Sequence, residues 1–303
     1  MHCFPRPGTR SPKMKTGEVR PETPVYYRNK GETEYVMERP EILFYKPDNR
    51  LLPYVRYYYV LRSRENFRTL TFPIGCPQII FHKKSPLYIP ELKSRQSVFT
   101  VSGQVNFPAH VCSAGDTEMI VAVFRPHTVG MFIGVPPSLF YNREISGYDV
   151  ESKELDKLAA RIFEDEDNGR CVRTVEHWLL TRLHEATAPD FSRMCTAVRR
   201  LMEAPSTTVG QLADIACLGK KQFERVFFRS VGMKPKEYAR VVRFQKTLWM
   251  MQNGRRADAG MAYTNGYADQ AHMIREFKLF SGFTPRRLRD GCLPHSDLFA
   301  CPV

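Results

Sequence analysis

The side chains in this sequence that are best suited to metal binding or catalysis are a few histidines and cysteines. His110 and Cys112 are two residues apart, and His82 or His127 is available to complete a site with them. Zinc sites built from these ligands normally contain closely spaced pairs such as Cys-x-x-Cys, and none occurs among the eight cysteines. The G-x-S-x-G, P-loop, G-x-G-x-x-G and H-E-x-x-H motifs are also absent. We therefore expect no catalytic residue, no metal ion and no cofactor.

A second set of side chains that could do chemistry is basic or carries an amide, and it lies in and beside a segment that is repeated 50 residues later. Gln222–Pro235 reads QFERVFFRSVGMKP, and His272–Pro285 reads HMIREFKLFSGFTP, with Arg, Phe, Gly and Pro at matching positions. Arg225 therefore aligns with Arg275. Arg and Lys side chains suit the O6 and N7 acceptors of guanine, and Gln suits adenine. The repeat thus presents, twice, side chains that can hydrogen-bond to the edges of nucleic-acid bases.

Helices must position these side chains, and the pattern predicts a helix-turn-helix in each copy. A short helix precedes each segment, over Val209–Cys217 in the first copy and about Asp258–Thr264 in the second. Glycine ends each second helix, and proline starts the next helix. Pro235–Gln252 is predicted to form a connecting helix of ~18 residues, which would span about 27 Å. That length suits two helices that read the major groove about one DNA turn, ~34 Å, apart.

The position of a side chain on each predicted second helix sets its expected role. The residues predicted to contact base edges are Lys221, Glu224, Arg225, Gln270, Ala271, Ile274 and Arg275. The basic residues predicted to contact the DNA backbone are Lys220, Lys234, Lys236, Arg240, Arg243, Arg286 and Arg287. For Arg225 and Arg275, an intradomain ion pair or a phosphate contact is the alternative interpretation.

The basic charge of the chain is concentrated in its C-terminal third. Residues 191–291 contain 19 Lys and Arg against 8 Asp and Glu, a net charge of +11, and the whole chain of 303 residues carries +13. Such a concentration indicates a polyanionic partner, with a solvated basic surface as the alternative. The sequence contains no apolar run of ~20 residues and no dense cysteine framework, and from its basic, Pro-rich first residues we expect no signal peptide. We therefore expect a cytoplasmic protein with reduced cysteines and no membrane partner.

The first half of the chain is predicted to be rich in β-strands. Short runs of β-branched and aromatic residues alternate with Pro and Gly turns. The predicted strands cover Tyr54–Leu61, Arg68–Phe72, Gln78–His82, Val98–Val105 and Met119–Phe124. This pattern is typical of a compact barrel or sandwich, which either encloses a ligand cavity or has a filled core.

Two amphipathic helices are predicted after the strands, over Glu151–Asp165 and Cys171–Ala186. Their apolar stripes are either packing surfaces or the seam of a homodimer. The predicted organisation is a disordered basic extension over 1–36, a β-rich sensing or dimerisation domain over 37–150, and a helical connector and linker over 151–190. A DNA-binding domain over 191–291 and a tail over 292–303 follow.

The C-terminal third resembles the AraC/XylS family of bacterial transcription regulators. QLADIACLGKKQFERVFFRSVGMKPKEYARVVRF and NGYADQAHMIREFKLFSGFTPRRL are similar to the two helix-turn-helix units of that family, in the right order. LLPYVRYYYVL, GCPQIIFH, VSGQ and FRPHTVGMFIGVPPSLFYN resemble the N-terminal domain of one branch. Two departures weaken local helix signals: Gly219 stands where the family usually has a Ser helix cap, and Gly260 lies in the second short helix.

The resemblance implies a multidomain α and β protein with double-stranded DNA and RNA polymerase as partners. It also implies a β-rich domain that takes a small-molecule effector or forms a homodimer, and a nucleoid-associated location. The sequence thus predicts a sequence-specific DNA-binding transcription regulator that reads two successive major-groove segments. A sequence-neutral basic nucleic-acid binder is the main alternative, and a helical scaffold for a partner other than DNA is the third.

Overall fold

The computed structural model describes residues 40–183 and 190–290. The predicted extension over 1–36, residues 184–189 of the predicted connector and linker, and the tail over 292–303 lie outside the described residues. The described part confirms the predicted fold class, because a strand-rich N-terminal half is followed by a C-terminal half made of helices.

Ten strands form the N-terminal half. They are β1 (Glu41–Tyr45), β2 (Val55–Ser63), β3 (Arg68–Thr71), β4 (Gln78–His82), β5 (Tyr88–Ile89), β6 (Ser94–Arg95), β7 (Phe99–Ser102), β8 (Ala109–Cys112), β9 (Thr117–Phe124) and β10 (Glu144–Ser146). The larger antiparallel sheet has the order β1-β2-β9-β4-β7-β10, and the smaller has β3-β8-β5-β6. The five predicted strands correspond to β2, β3, β4, β7 and β9, and the other five are short strands that the sequence pattern did not reveal.

Both faces of the larger sheet are buried, which explains why its central strands are almost continuously apolar. On β2, Tyr58 and Val60 face one core, whereas Tyr57 and Leu61 face another. A strand with one face in water shows alternating polar and apolar residues, but a strand covered on both faces does not. The run VRYYYVLRS therefore marks a strand near the middle of two packed layers.

Three helices cover the first of these cores: α1 (Val129–Ile133), α2 (Lys153–Glu164) and α3 (Asn168–Arg182). The apolar stripe of α2 is buried with that of α3 against this face of the sheet, through residues such as Leu158 and Val175. The buried residues of these stripes therefore serve as packing surfaces within the chain.

Seven helices form the C-terminal half. They are α4 (Phe191–Glu203), α5 (Val209–Ile215), α6 (Lys220–Val231), α7 (Pro235–Gln252), α8 (Ala259–Thr264), α9 (Gln270–Ser281) and α10 (Pro285–Asp290). The helix pairs α5–α6 and α8–α9 are the two predicted helix-turn-helix units, and the 18-residue helix α7 joins them. No helix in residues 40–183 or 190–290 is long and apolar enough to cross a membrane.

The two halves share a continuous apolar core. The ring of Phe72, after β3, lies edge-on to that of Phe244 on α7, with 5.8 Å between centroids. The side-chain amide of Gln245 donates a hydrogen bond of 2.7 Å to the carbonyl oxygen of Pro73. The connecting helix of the C-terminal half is thus part of the wall of the β-rich half.

Candidate nucleic-acid interface

The first helix-turn-helix unit begins with a well-capped bracing helix. The Thr208 hydroxyl accepts a 3.3 Å hydrogen bond from the Gln211 backbone N–H, and the Gln211 side chain accepts one of 2.9 Å from the Thr208 N–H. This reciprocal capping box satisfies two of the N–H groups that a helix start leaves free. Leu212 is buried in the same core as Phe223 and Phe227 of α6, so α5 braces the apolar side of α6.

The opposite side of α6 is exposed and basic. Lys221 and Arg225 are exposed, and neither forms an ion pair with any residue that the structure describes. Glu224 is half-buried. Gly219 is the N-cap of α6 and provides no side-chain hydrogen bond, so the first N–H groups of the helix have no side-chain acceptor from the cap residue. Lys221 therefore stands at a helix start that itself favours anions, and Arg225 lies about one turn further along the same helix.

Side chains cap both helices of the second unit. Asp258 accepts a 2.9 Å hydrogen bond from the Met261 N–H at the start of α8, and Asp269 accepts one of 2.6 Å from the His272 N–H at the start of α9. The cap of α8 offsets part of the helix-breaking tendency of Gly260. Aspartate at an N-cap contributes roughly 0.5–2 kcal/mol relative to alanine.

The predicted base-reading residues of the second unit lie along one side of α9. Gln270, Ala271 and Arg275 are exposed, and Ile274 is half-buried. Arg275 forms no ion pair within residues 40–183 and 190–290, so the alternative interpretation of an intradomain ion pair is not observed there. The Gln270 side chain donates a 3.2 Å hydrogen bond to the Ala257 carbonyl oxygen, which holds it against the loop before α8.

A buried carboxylate that the sequence reasoning missed joins α9 to α7. Glu276 is 6% exposed, and its Oε1 lies 2.6 Å from Nε of Arg240 while its Oε2 lies 3.1 Å from Nη2 of Arg243. Nε2 of His272 lies 3.4 Å from Oε1. Burial acts to raise the pKa of Glu276, but the adjacent guanidinium groups of Arg243 and Arg240 outweigh it and lower that pKa. Glu276 is therefore held as a carboxylate within a compact ionic cluster.

This cluster gives Arg240 and Arg243 a structural role beside their predicted contact with the DNA backbone. Both guanidinium groups also lie over aromatic rings, at 5.4 Å from the centroids of Phe280 and Tyr267 respectively. One signal for the cluster was present in the sequence. Glu276 falls among apolar positions on α9, and an acid placed there requires a buried cation.

The other basic residues predicted to contact the DNA backbone are exposed around these helices. Lys220 and Lys234 lie at the starts of α6 and α7, and Lys236 follows in the first turn of α7. Arg286 and Arg287 lie in α10, and the guanidinium of Arg287 stands 5.1 Å from the ring centroid of Phe283. None of the five forms an ion pair with a residue in the described ranges.

The histidines and cysteine considered for a metal site lie apart in separate settings. His110 Nδ1 pairs with Glu91 at 2.6 Å, and His82 Nε2 hydrogen-bonds to Gln96 at 2.8 Å. His127 is buried beside Phe191, and burial lowers its pKa to about 4. Over residues 40–183 and 190–290, no three His, Cys, Asp or Glu side chains are grouped as metal ligands.

Two family matches cover separate parts of the chain. Residues 212–291 match a family described as Helix-turn-helix domain. Residues 43–146 match a family described as Domain of unknown function (DUF6597). A relative from Haemophilus influenzae, named as an uncharacterized HTH-type transcriptional regulator, is 26% identical over 99 residues. That alignment covers 32% of this chain and 33% of the relative, so the chain spans about a third of the relative's length.

Solved structures of ToxT from Vibrio cholerae are also similar. One is 12% identical, covers 76% of this chain and 95% of the ToxT chain, and has a TM-score of 0.42. Another, of ToxT bound to an unsaturated fatty acid, is 11% identical, covers 84% and 97% of the two chains, and has a TM-score of 0.39. The resemblance found in the sequence is confirmed at the level of the two matched regions: residues 212–291 match a helix-turn-helix family, and residues 43–146 match the DUF6597 family.

Proposed function

We propose that this protein is a sequence-specific DNA-binding transcription regulator that reads two successive major-groove segments. The observation that carries the proposal is the pair of helix-turn-helix units on one connecting helix, each with an exposed polar side on its second helix. The match of residues 212–291 to a helix-turn-helix family supports it. A regulator of this kind performs no catalysis, and the proposal assigns no catalytic residue or cofactor.

In this proposal the two second helices read bases with different side chains. On α6, Lys221 and Arg225 would donate to guanine, and Glu224 would accept from cytosine N4. On α9, Gln270 and Arg275 would read adenine and guanine, and Ala271 and Ile274 would make apolar contact with thymine methyl groups. The exposure of most of these side chains, with no ion pair at Lys221, Arg225 or Arg275 among the described residues, supports this assignment.

The backbone contacts are assigned to cations near the helix starts. Lys220, Lys234 and Lys236 lie beside α6 and α7, and Arg286 and Arg287 lie on α10. Such contacts hold the register of a protein on the duplex without specifying sequence. Arg240 and Arg243 would add long-range attraction to phosphate while they remain paired with Glu276.

The β-rich half is proposed to sense a small effector and to pass its binding to the DNA-reading half. A cavity of about 340 Å³ lies between the two sheets, and Gln245 of α7 forms part of its wall. A ligand there would contact the helix that joins the two reading units. Contact with RNA polymerase, homodimer formation and location on the nucleoid in the cytoplasm belong to the same proposal.

Genomic footprinting of the tagged protein tests the proposal and names the regulated genes. We expect a limited set of protected sites, each with two contacted segments about one helical turn, ~34 Å, apart. Equal protection of unrelated duplexes would support the sequence-neutral alternative, whose binding contains only the salt-dependent phosphate contribution. The absence of any DNA binding would instead favour a helical scaffold for another partner.

A further inference from the structure

The cavity between the two sheets has a polar end, and the chemistry of that end indicates a class of ligand. This inference rests on the proposed effector role of the β-rich half. Gln78, Ser102 and Glu144 are register partners on β4, β7 and β10, so their side chains lie in a row across three adjacent strands. All three line the cavity.

Glu144 is the acidic residue of this row, and one of its two carboxylate oxygens lacks a hydrogen-bond partner. Its Oε1 accepts a 2.6 Å hydrogen bond from Gln96 Nε2, and Gln96 Oε1 is in turn 2.8 Å from His82 Nε2. Its Oε2 is buried and has no hydrogen-bond partner among the described residues. Burial raises the pKa of Glu144, and polar contacts with Gln96 and Ser102 offset this only in part.

A second unpartnered acceptor lies in the same cavity wall. Gln104 is 2% exposed, and its amide nitrogen donates a 3.1 Å hydrogen bond to the Gly75 carbonyl oxygen. Its Oε1 is buried and accepts no hydrogen bond from the described part of the chain. A buried acceptor without a donor is destabilising, because it has lost the hydrogen bonds that water would give it. Two such acceptors in one cavity favour a ligand that brings hydrogen-bond donors.

The charge of the cavity wall also favours a ligand that brings hydrogen-bond donors. Over the described residues, no Lys, Arg or His side chain lines the cavity, whereas Glu144 does. A ligand carboxylate would therefore be buried near an acid with no cation to compensate it, which is strongly unfavourable. An ammonium group would satisfy the free carboxylate oxygen and supply up to three donors.

The remaining wall is apolar and aromatic. Phe44 contacts Tyr57 and Tyr59, with ring centroids 5.7 and 6.1 Å apart. In the larger sheet, β2 with Tyr57 and Tyr59 lies four inter-strand steps from β10, which corresponds to about 19 Å, and β1 with Phe44 lies one step further. The cavity thus separates an acidic polar end from an apolar end.

We propose that the cavity binds an amphiphilic amine, with its ammonium group at Glu144 and Gln104 and its apolar body toward Phe44, Tyr57 and Tyr59. Neither family match assigns a ligand to residues 43–146. The proposal concerns the ligand alone, so it can fail without affecting the proposed DNA-reading function.

The test uses three probes of matched shape on the full chain: 4-phenylbutylamine, 4-phenylbutan-1-ol and 4-phenylbutyrate. Isothermal titration calorimetry is expected to show at least tenfold tighter binding of the amine than of the alcohol, and no measurable binding of the carboxylate. Equal or tighter binding of the carboxylate, or no binding of any probe, overturns the proposal.

Variants locate the ammonium site. Glu144→Gln keeps the shape of the side chain and should remove the preference for the amine while the alcohol still binds. Asp116→Asn is the matched control, because Asp116 is an exposed acid of the same half that pairs with Lys84. Gln104→Met is a second variant for the case in which Glu144→Gln does not fold, and it should weaken amine binding several-fold. An unchanged amine preference in a folded Glu144→Gln protein overturns the assignment.

The same protein preparation separates this proposal from the proposed function. Each sample is also titrated with a footprinted DNA site and with an unrelated duplex. Selective DNA binding without amine binding refutes only the ligand class. Amine binding without selective DNA binding refutes only the regulator proposal.

Discussion

The two helix-turn-helix units share a fold and a 50-residue period, but different interactions stabilise them. In the first unit α6 has Gly219 at its N-cap and Val226 on its flank, and α5 carries the capping box. In the second unit the equivalent positions are Asp269, which caps α9, and Glu276, which pairs with arginines of α7. Gly260 weakens the helix signal of α8, but these two acids stabilise the second unit.

The two units also differ in their relation to the β-rich half. At the end of α6, a Cβ built on Gly232 would lie 2.8 Å from the carbonyl oxygen of Pro137, so the β-rich half approaches the backbone there. The Tyr141 hydroxyl donates a 3.2 Å hydrogen bond to Glu237 of α7 at the same junction. At Gly282, the equivalent glycine of the second unit, no atom lies within 4 Å of such a Cβ. Of these two equivalent glycines, only Gly232 lies close to the β-rich half, so a movement of Pro137 would displace the end of α6 in the first unit.

The largest expected effect is the loss of the ionic cluster of the second unit. Glu276→Ala leaves Arg240 and Arg243 without their buried carboxylate, which should lower the free energy of unfolding by about 3–5 kcal/mol. Urea denaturation of the purified chain measures it. Val226→Ala at the equivalent position of the first unit is the control and should lower it by about 1 kcal/mol. Similar small losses for both variants would show that the cluster adds little stability.

Substitutions of Gly232 and Gly282 test whether the β-rich half approaches the first unit closely at the end of α6 but leaves the equivalent glycine of the second unit free. Both have positive φ, at 82° for Gly232 and 78° for Gly282, so alanine at either costs about 1–2 kcal/mol of backbone strain. Gly232→Ala also forces a methyl group against Pro137 and should destabilise the protein by roughly 2–4 kcal/mol in total. Thermal unfolding of both variants provides the comparison, and equal losses would argue against a close junction.

Base reading is expected to differ between the units at one equivalent position. Lys221 on α6 corresponds to Ala271 on α9, so Lys221→Ala makes the first helix resemble the second there. We expect a loss of roughly 1–3 kcal/mol at particular bases of one half of the site, with the other half unchanged. Selection from a random DNA library measures the preference. An unchanged base preference would contradict the assignment of α6 as a helix that reads bases.

The N-caps of α6 and α9 are expected to differ by a smaller amount in their contribution to the free energy of unfolding. Asp269→Ala should lower the free energy of unfolding by about 1 kcal/mol, because the first N–H groups of α9 lose their acceptor. Gly219→Ser should raise it by a few tenths of a kcal/mol, since a Cβ there meets no atom within 4 Å. Denaturation midpoints of the two variants check both signs. A stabilising Asp269→Ala would contradict the assignment of that cap.

The smallest effect on discrimination is expected from a phosphate contact. Lys236→Ala should weaken binding to all sequences alike and reduce the slope of log binding constant against log salt by about one. Binding titrations at several salt concentrations give the slope. A loss confined to particular bases would instead place Lys236 at a base edge.

The repeat was predictable because its chemistry is local. Glycine after a helix, proline at the next start and apolar residues at helical spacing are visible in a sequence, and they gave α6, α7 and α9 closely. The short strands β5, β6 and β10 were not predictable, because strands of two or three residues depend on pairing with distant segments. The Glu276 cluster was missed for the same reason, since its arginines lie 36 and 33 residues earlier.

The cavity and its polar end could be recognised only from the structure and not from the sequence. Gln78, Ser102 and Glu144 are far apart in sequence, and only the register of β4, β7 and β10 brings them into one row. The prediction of a barrel or sandwich left open whether its interior was filled. A polar row at one end of a sheet and aromatic residues at its other end depend on tertiary pairing that periodicity does not encode.

Hydroxyl-radical footprinting on a selected site tests whether the two units read two different DNA segments. The wild-type protein should protect two segments about one helical turn apart. Lys221→Ala should change the pattern in one segment, and Gln270→Ala should change it in the other. A single protected segment, or the same change from both variants, would contradict the account.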